Sequence, residues 1–153
     1  MEHHGGGPSL DRLALRATAH CLTGCALGEV LGMVLATALG WGAAASVALA
    51  VALAFAFGYS LTLGPVLRAG VPPRRALALA AASDTVSIAV MELVDNAFLL
   101  AVPGALDAGL GDALFWWSLA ASLAAAFVVT APVNRVLIAR GRGHAVVHGL
   151  HAG

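Results

Sequence analysis

The residues able to do chemistry in this chain stand where the sequence is otherwise most apolar. His20-Cys21-Leu22-Thr23-Gly24-Cys25-Ala26-Leu27-Gly28-Glu29 brings an imidazole, two thiols and a carboxylate into one short run. A second run, Asp84-Thr85-Val86-Ser87 followed by Met91-Glu92-Leu93-Val94-Asp95-Asn96, adds three carboxylates, a thioether and hydroxyl and amide groups. At about 100° per residue on a helix, Cys21, Cys25 and Glu29 form one row, which Met33 and Thr37 extend. His20, Gly24, Gly28 and Gly32 form the row beside it, and such small-residue rows let another backbone approach closely. On the second helix, Met91 and Asp95 fall within about 20° of Asp84, Ser87 about 60° to one flank and Glu92 about 80° to the other. Each run therefore turns one polar side out of an apolar helix.

Those side chains sort by hardness. Cys21, Cys25, Met33 and Met91 are soft ligands suited to Cu(I) and, for the thiolates, Zn(II). His20 suits either metal, while Glu29, Asp84, Glu92 and Asp95 are hard and suit divalent ions or protons. Four acids with no basic side chain at their depth cannot all ionise in a dry interior. They bind cations, hold protons, or line a wet cavity, and protons and metals compete for the same atoms. His20 and Glu29 lie about 180° apart on their helix, so one ion cannot take both unless the helix unwinds or a second subunit intervenes.

The elements that must carry these groups are membrane spans. Of 153 residues, 60% are hydrophobic and 10% charged, with a mean hydropathy of +0.90. A soluble domain carries roughly 25% charged residues, so this composition predicts an all-α integral membrane four-helix bundle in contact with the lipid bilayer. Spans are expected at about 13–39, 43–67, 76–102 and 113–139, between a tail at 1–11 and a tail at 141–153, with 12–140 as the transmembrane domain. Gly40-Trp41-Gly42, the stretch around Val71-Pro72-Pro73 and Pro103-Gly104 break the helices. Trp41 and the Phe115-Trp116-Trp117 run suit interfacial anchors. A central aspartate costs roughly 2.5 to 3.5 kcal/mol even on the mildest insertion scale, so the polar sides must face the bundle interior. Ser87, Met91, Asn96 and Asn134 would form a secondary polar network there.

There is no lysine, and all eight arginines fall at the amino end, between spans two and three, or at the carboxyl end. With four spans these regions share one face, which the positive-inside rule makes cytoplasmic. Both termini are thus expected on the inside. Met1 to Ser9 lacks the basic start and apolar run of a cleavable signal. Zero formal net charge implies no nucleic-acid partner. The two cysteines, four apart on a helix, are poorly placed for a mutual disulfide. His144, His148 and His151 in the tail share one face if helical, which suits metal capture.

At His20-Cys21-x-x-Gly24-Cys25-x-x-Gly28-Glu29, Asp84-Thr85-x-Ser87-Ile88, Met91-Glu92, Asp95-Asn96 and Pro132-x-Asn134-Arg135 the chain resembles a family of small bacterial membrane proteins, domain of unknown function 4396. The resemblance covers nearly the whole chain. It implies that these polar positions act as one unit and supplies no substrate.

The functional expectation is a transition-metal ion, copper or zinc, bound and perhaps moved at a site of His20, Cys21, Cys25, Glu29, Asp84, Glu92 and Asp95 between spans one and three. A homodimer is expected through the Gly24, Gly28 and Gly32 seam. The alternatives are a proton- or cation-coupled transporter of another small solute, and a non-transporting assembly protein whose polar groups set helix register. No nucleophile with its base is legible, and H-C-x-x-G-C is not the C-x-x-C-H haem signature, so binding or transport is favoured over an enzyme.

Overall fold

A computed structural model describes residues 9–140. Among them run α1 (Leu10–Leu39), α2 (Ala43–Arg68), α3 (Pro73–Ala101), a single 3₁₀ turn (Ala105–Asp107) and α4 (Ala113–Ala139). Each of the four α-helices is long and apolar enough to cross a membrane. The chain is an all-α four-helix bundle of membrane-span type.

Local chemistry sets the helix ends. Ser9 caps α1, its Oγ accepting from the Arg12 N–H at 3.3 Å. Gly40, at φ 68, closes the helix by donating to the Ala36 and Thr37 carbonyls, a left-handed cap that glycine adopts without strain. Pro73 opens α3 at a position where its missing N–H costs nothing. Helices α1 and α3 begin about one turn earlier than hydropathy alone indicates, because each takes in an arginine-bearing turn that a membrane window excludes. The span 76–102 is expected to run into Pro103. The helix stops at Ala101, and Gly104, at φ 80, leads into the 3₁₀ turn. Asp112 Oδ2 accepts from the Gly109 N–H at 2.8 Å and shapes the entry to α4.

Around the bundle, α1 and α3 each pack against α2 and α4, and α1 also touches α3 across the centre. The two polar helices therefore share the interior. The buried rows have a four-residue step: Ala50, Ala54, Gly58, Thr62 and Val66 on α2, and Ser118, Ser122, Ala126, Thr130 and Asn134 on α4. Outward, Leu93, Leu100 and Val128 are 70 to 72% exposed, as side chains against lipid should be.

The glycine row corrects one expectation. A Cβ built on Gly28 would lie 2.5 Å from the Ala54 nitrogen, one on Gly32 2.8 Å from Ala50 Cα, and one on Gly24 3.0 Å from Gly58 Cα. The seam expected to join two subunits is filled by α2 of the same chain. Two small-residue rows meet there, and no room is left for a second copy.

Charge divides the bundle along its axis. Arg12, Arg16, Arg68, Arg74, Arg75, Arg135 and Arg140 gather at one end, where Arg135 Nε meets Asp11 Oδ1 at 2.5 Å. Asp107, Asp112 and the half-exposed Trp41, Trp116 and Trp117 occupy the other. Phe115 departs from the expected aromatic girdle. It is buried, edge-on to Trp116 at 5.0 Å between ring centroids.

Candidate functional site

Glu29 of α1 and Glu92 and Asp95 of α3 meet in the interior, and one carboxylate oxygen from each lies within 4.8 Å of the others. The geometry follows from the helices. Glu92 and Asp95 are three residues apart, hence on one side of α3, and the diagonal contact brings Glu29 against them. Their exposures are 9%, 5% and 0%. Ser122 Oγ, from α4, donates to Asp95 Oδ1 at 2.5 Å. Asn96 Nδ2 donates to the Glu92 carbonyl at 2.8 Å and to its Oε2 at 3.4 Å. The Cys25 thiol lies beside Glu92, and Glu29 faces Asp95. Glu29 Oε1, Glu92 Oε1 and Asp95 Oδ2 are buried with no hydrogen-bond partner.

A buried acceptor left without a donor costs about 1–3 kcal/mol, more when charged. The trio holds three such atoms, and no arginine of the described chain lies at its level. A cation or shared protons would balance it.

A second polar group sits nearer the arginine end. Ser83 Oγ donates to Asp84 Oδ1 at 3.1 Å, and Cys21 lies beside Asp84 and Ser87. Ser87 Oγ donates to Asn134 Oδ1, Asn134 Nδ2 to Thr18 Oγ1 at 2.9 Å, and Thr18 Oγ1 to the Ala14 carbonyl at 2.7 Å. This network ties α1, α3 and α4 together. Ile88, Met91 and Ala126, all fully buried, pack with Cys21 and Cys25 between the two groups.

The residues singled out from sequence are thus divided among several places. Glu29, Glu92 and Asp95 come together, with Cys25 and Asn96 alongside. Cys21, Asp84, Ser87 and Asn134 belong to the second group, and Met91 to the apolar layer. The two cysteines form no disulfide with each other. His20 turns the other way, its Nε2 3.1 Å from Thr62 Oγ1 on α2. That is where its row, shared with the glycines, must point. Met33 lies one turn beyond Glu29, its sulfur accepting from Thr37 Oγ1 at 3.6 Å. His144, His148 and His151 lie outside the described residues.

Sequence reasoning missed Ser122, Thr18 and Thr62. For Ser122 a signal existed: Ser118, Ser122, Thr130 and Asn134 recur at four-residue steps on a span without other polar groups until its exit. Such a row marks an interior face as surely as a carboxylate does.

A family model described as "Domain of unknown function (DUF4396)" matches residues 12–143. No curated protein and no solved structure matches the chain.

Proposed function

We propose that this chain, which belongs to the DUF4396 family, binds a divalent transition-metal ion at the Glu29, Glu92 and Asp95 carboxylates. The observation that carries the reading is the set of three buried oxygens without a donor, on carboxylates converging from two helices. Three oxygens with one thiol at their side favour a zinc-class ion. Cys21, Cys25 and Met91 pack together, but in the apolar layer with Ile88 and Ala126. His20 faces α2, so the reading rests on the carboxylates and not on a Cu(I) set. The arginine end, by the positive-inside rule, would face the cytoplasm of a bacterial cell and carry both termini there. The fully buried site, between the two ends of a membrane bundle, suits an ion on its way across.

Elemental analysis of protein purified without a metal-affinity tag tests this. Stoichiometric zinc is expected in the wild type and in a His144→Ala/His148→Ala/His151→Ala variant, and its loss in Glu92→Gln and in Asp95→Asn. Metal retained by both acid variants, or absent throughout, would overturn the reading. A second reading draws on Glu29 facing Asp95 closely enough to share a proton. There the trio exchanges protons, and a pH gradient drives proton uptake into vesicles that Glu29→Gln abolishes, with no metal bound.

A further inference from the structure

Of the three carboxylates, Glu29 lines a cavity. A cleft of about 30 Å³ is walled by Glu29, Met33, Ser46, Leu99, Phe115 and Leu119, among others. Glu29 is nine-tenths buried and presents an oxygen with no donor. Beyond it the walls lie toward one end only. Met33 is a turn nearer the end of α1, Ser46 is in the first turn of α2, and Phe115 is in the first turn of α4. That end carries Asp107 and Asp112, while every described arginine stands at the other. On the arginine side of the trio, Ile88, Met91 and Ala126 at 0% exposure and Cys25 at 1% fill the interior.

Polarity restricts what can travel there. One water needs at least about 10–15 Å³ of such space, so the cleft has room for a monatomic ion or a water. Ala50, Leu99 and Leu119 offer no replacement for a hydration shell, and Met33 and Ser46 offer little. Only an ion met by carboxylates at the bottom would give up its water to enter. Charge acts in the same direction, since Asp107 and Asp112 at that end of the bundle raise the local concentration of cations.

We propose that the Glu29, Glu92 and Asp95 site is loaded from the arginine-free end, through this cleft, by a divalent cation stripped of most of its water. Glu29 is the first carboxylate the ion meets. The inference rests on the metal reading above and adds the side of entry.

Cysteine accessibility in vesicles of fixed orientation tests it. Ser46→Cys and Ala69→Cys mark the two ends, and wild type gives the background of its buried thiols. Met33→Cys is expected to react with a membrane-impermeant maleimide from the Ser46 side only. With Zn²⁺ at about ten times its Kd, that reaction should slow about tenfold, and Asp95→Asn should abolish the slowing. Reaction from the Ala69 side, or none above wild type while Ser46→Cys reacts, would overturn the route. Leu119→Cys, on another wall, repeats the measurement if Met33→Cys does not fold. One-sided reaction that Zn²⁺ leaves unchanged overturns loading by a metal while the opening stands. Zinc found by elemental analysis without one-sided reaction overturns the route alone.

Discussion

Asp95 receives its hydrogen bond from α4, a helix whose one charged residue, Arg135, stands near its far end. Ser122 Oγ has two acceptors in reach, Asp95 Oδ1 at 2.5 Å and the Leu119 carbonyl at 2.8 Å, and one proton to give. Donated to Asp95, it fixes one oxygen and leaves Oδ2 turned to the trio. Such outer partners typically account for 10–100-fold of metal affinity. Ser122→Ala should therefore weaken zinc binding by roughly that factor in calorimetry, and because it leaves Asp95 Oδ1 a buried acceptor without its donor, it should also lower stability by about 1–3 kcal/mol. Asn134→Ala should cost stability alone. It strands Ser87 and Thr18, whose hydroxyls it joins, so a loss of about 1–3 kcal/mol in stability is expected, with zinc affinity kept. If both variants lost affinity equally, the two polar groups would be one unit, as the family resemblance implies, and the trio would not be the separate site described. Row geometry on a single helix read Glu29 and His20 as opposed, and the structure sets them so. It could not tell which neighbour each would meet, because an azimuth on one helix says nothing about the next.

The seam between α1 and α2 shows the same limit for elements. Gly24, Gly28 and Gly32 announce a close approach, but the matching signal, small residues at 50, 54 and 58, is submerged in a span where alanine is common everywhere. Read from one helix, the row therefore fits a second subunit as well as a neighbouring span. The contacts grade the cost of adding a methyl group. At Gly28 it would meet Ala54 backbone at 2.5 Å, which cannot yield without parting the helices. At Gly58 the same distance is to Ile88 Cδ1, the movable end of a side chain, and at Gly64 nothing lies within 4 Å. Thermal denaturation in detergent should rank Gly64→Ala as neutral or better, Gly58→Ala as intermediate and Gly28→Ala as worst, by about 1–3 kcal/mol. An equal effect at Gly28 and Gly64 would mean that the helices do not touch there. Helix number, the breaks at Gly40 and Pro73 and the polar sides of α1 and α3 were legible because each is written within its own element. The 3₁₀ turn and the inward face of Phe115 were not, since both depend on how the chain closes the end of the bundle.

For the molecule as a whole, the question is what three buried carboxylates do to its stability. Every arginine in the described chain is at one end, there is no lysine, and His20 points to α2, so nothing basic offsets the trio. Uncompensated buried charge is destabilising, and neutral replacements of similar shape often stabilise. A protein that keeps such a cluster for an ion gives up stability until the ion arrives. The variant Glu29→Gln/Glu92→Gln/Asp95→Asn should therefore melt above the wild type when both are held in chelator. Adding zinc at about 100 times its Kd should raise the wild type by about 2.7 kcal/mol and leave the variant unchanged, so that the gap closes or the order reverses. If the carboxylates served only to hold helix register, the variant would melt lower in chelator and zinc would move neither protein. The comparison needs no knowledge of a transported substrate, because the ion's work is read from the fold that it stabilises.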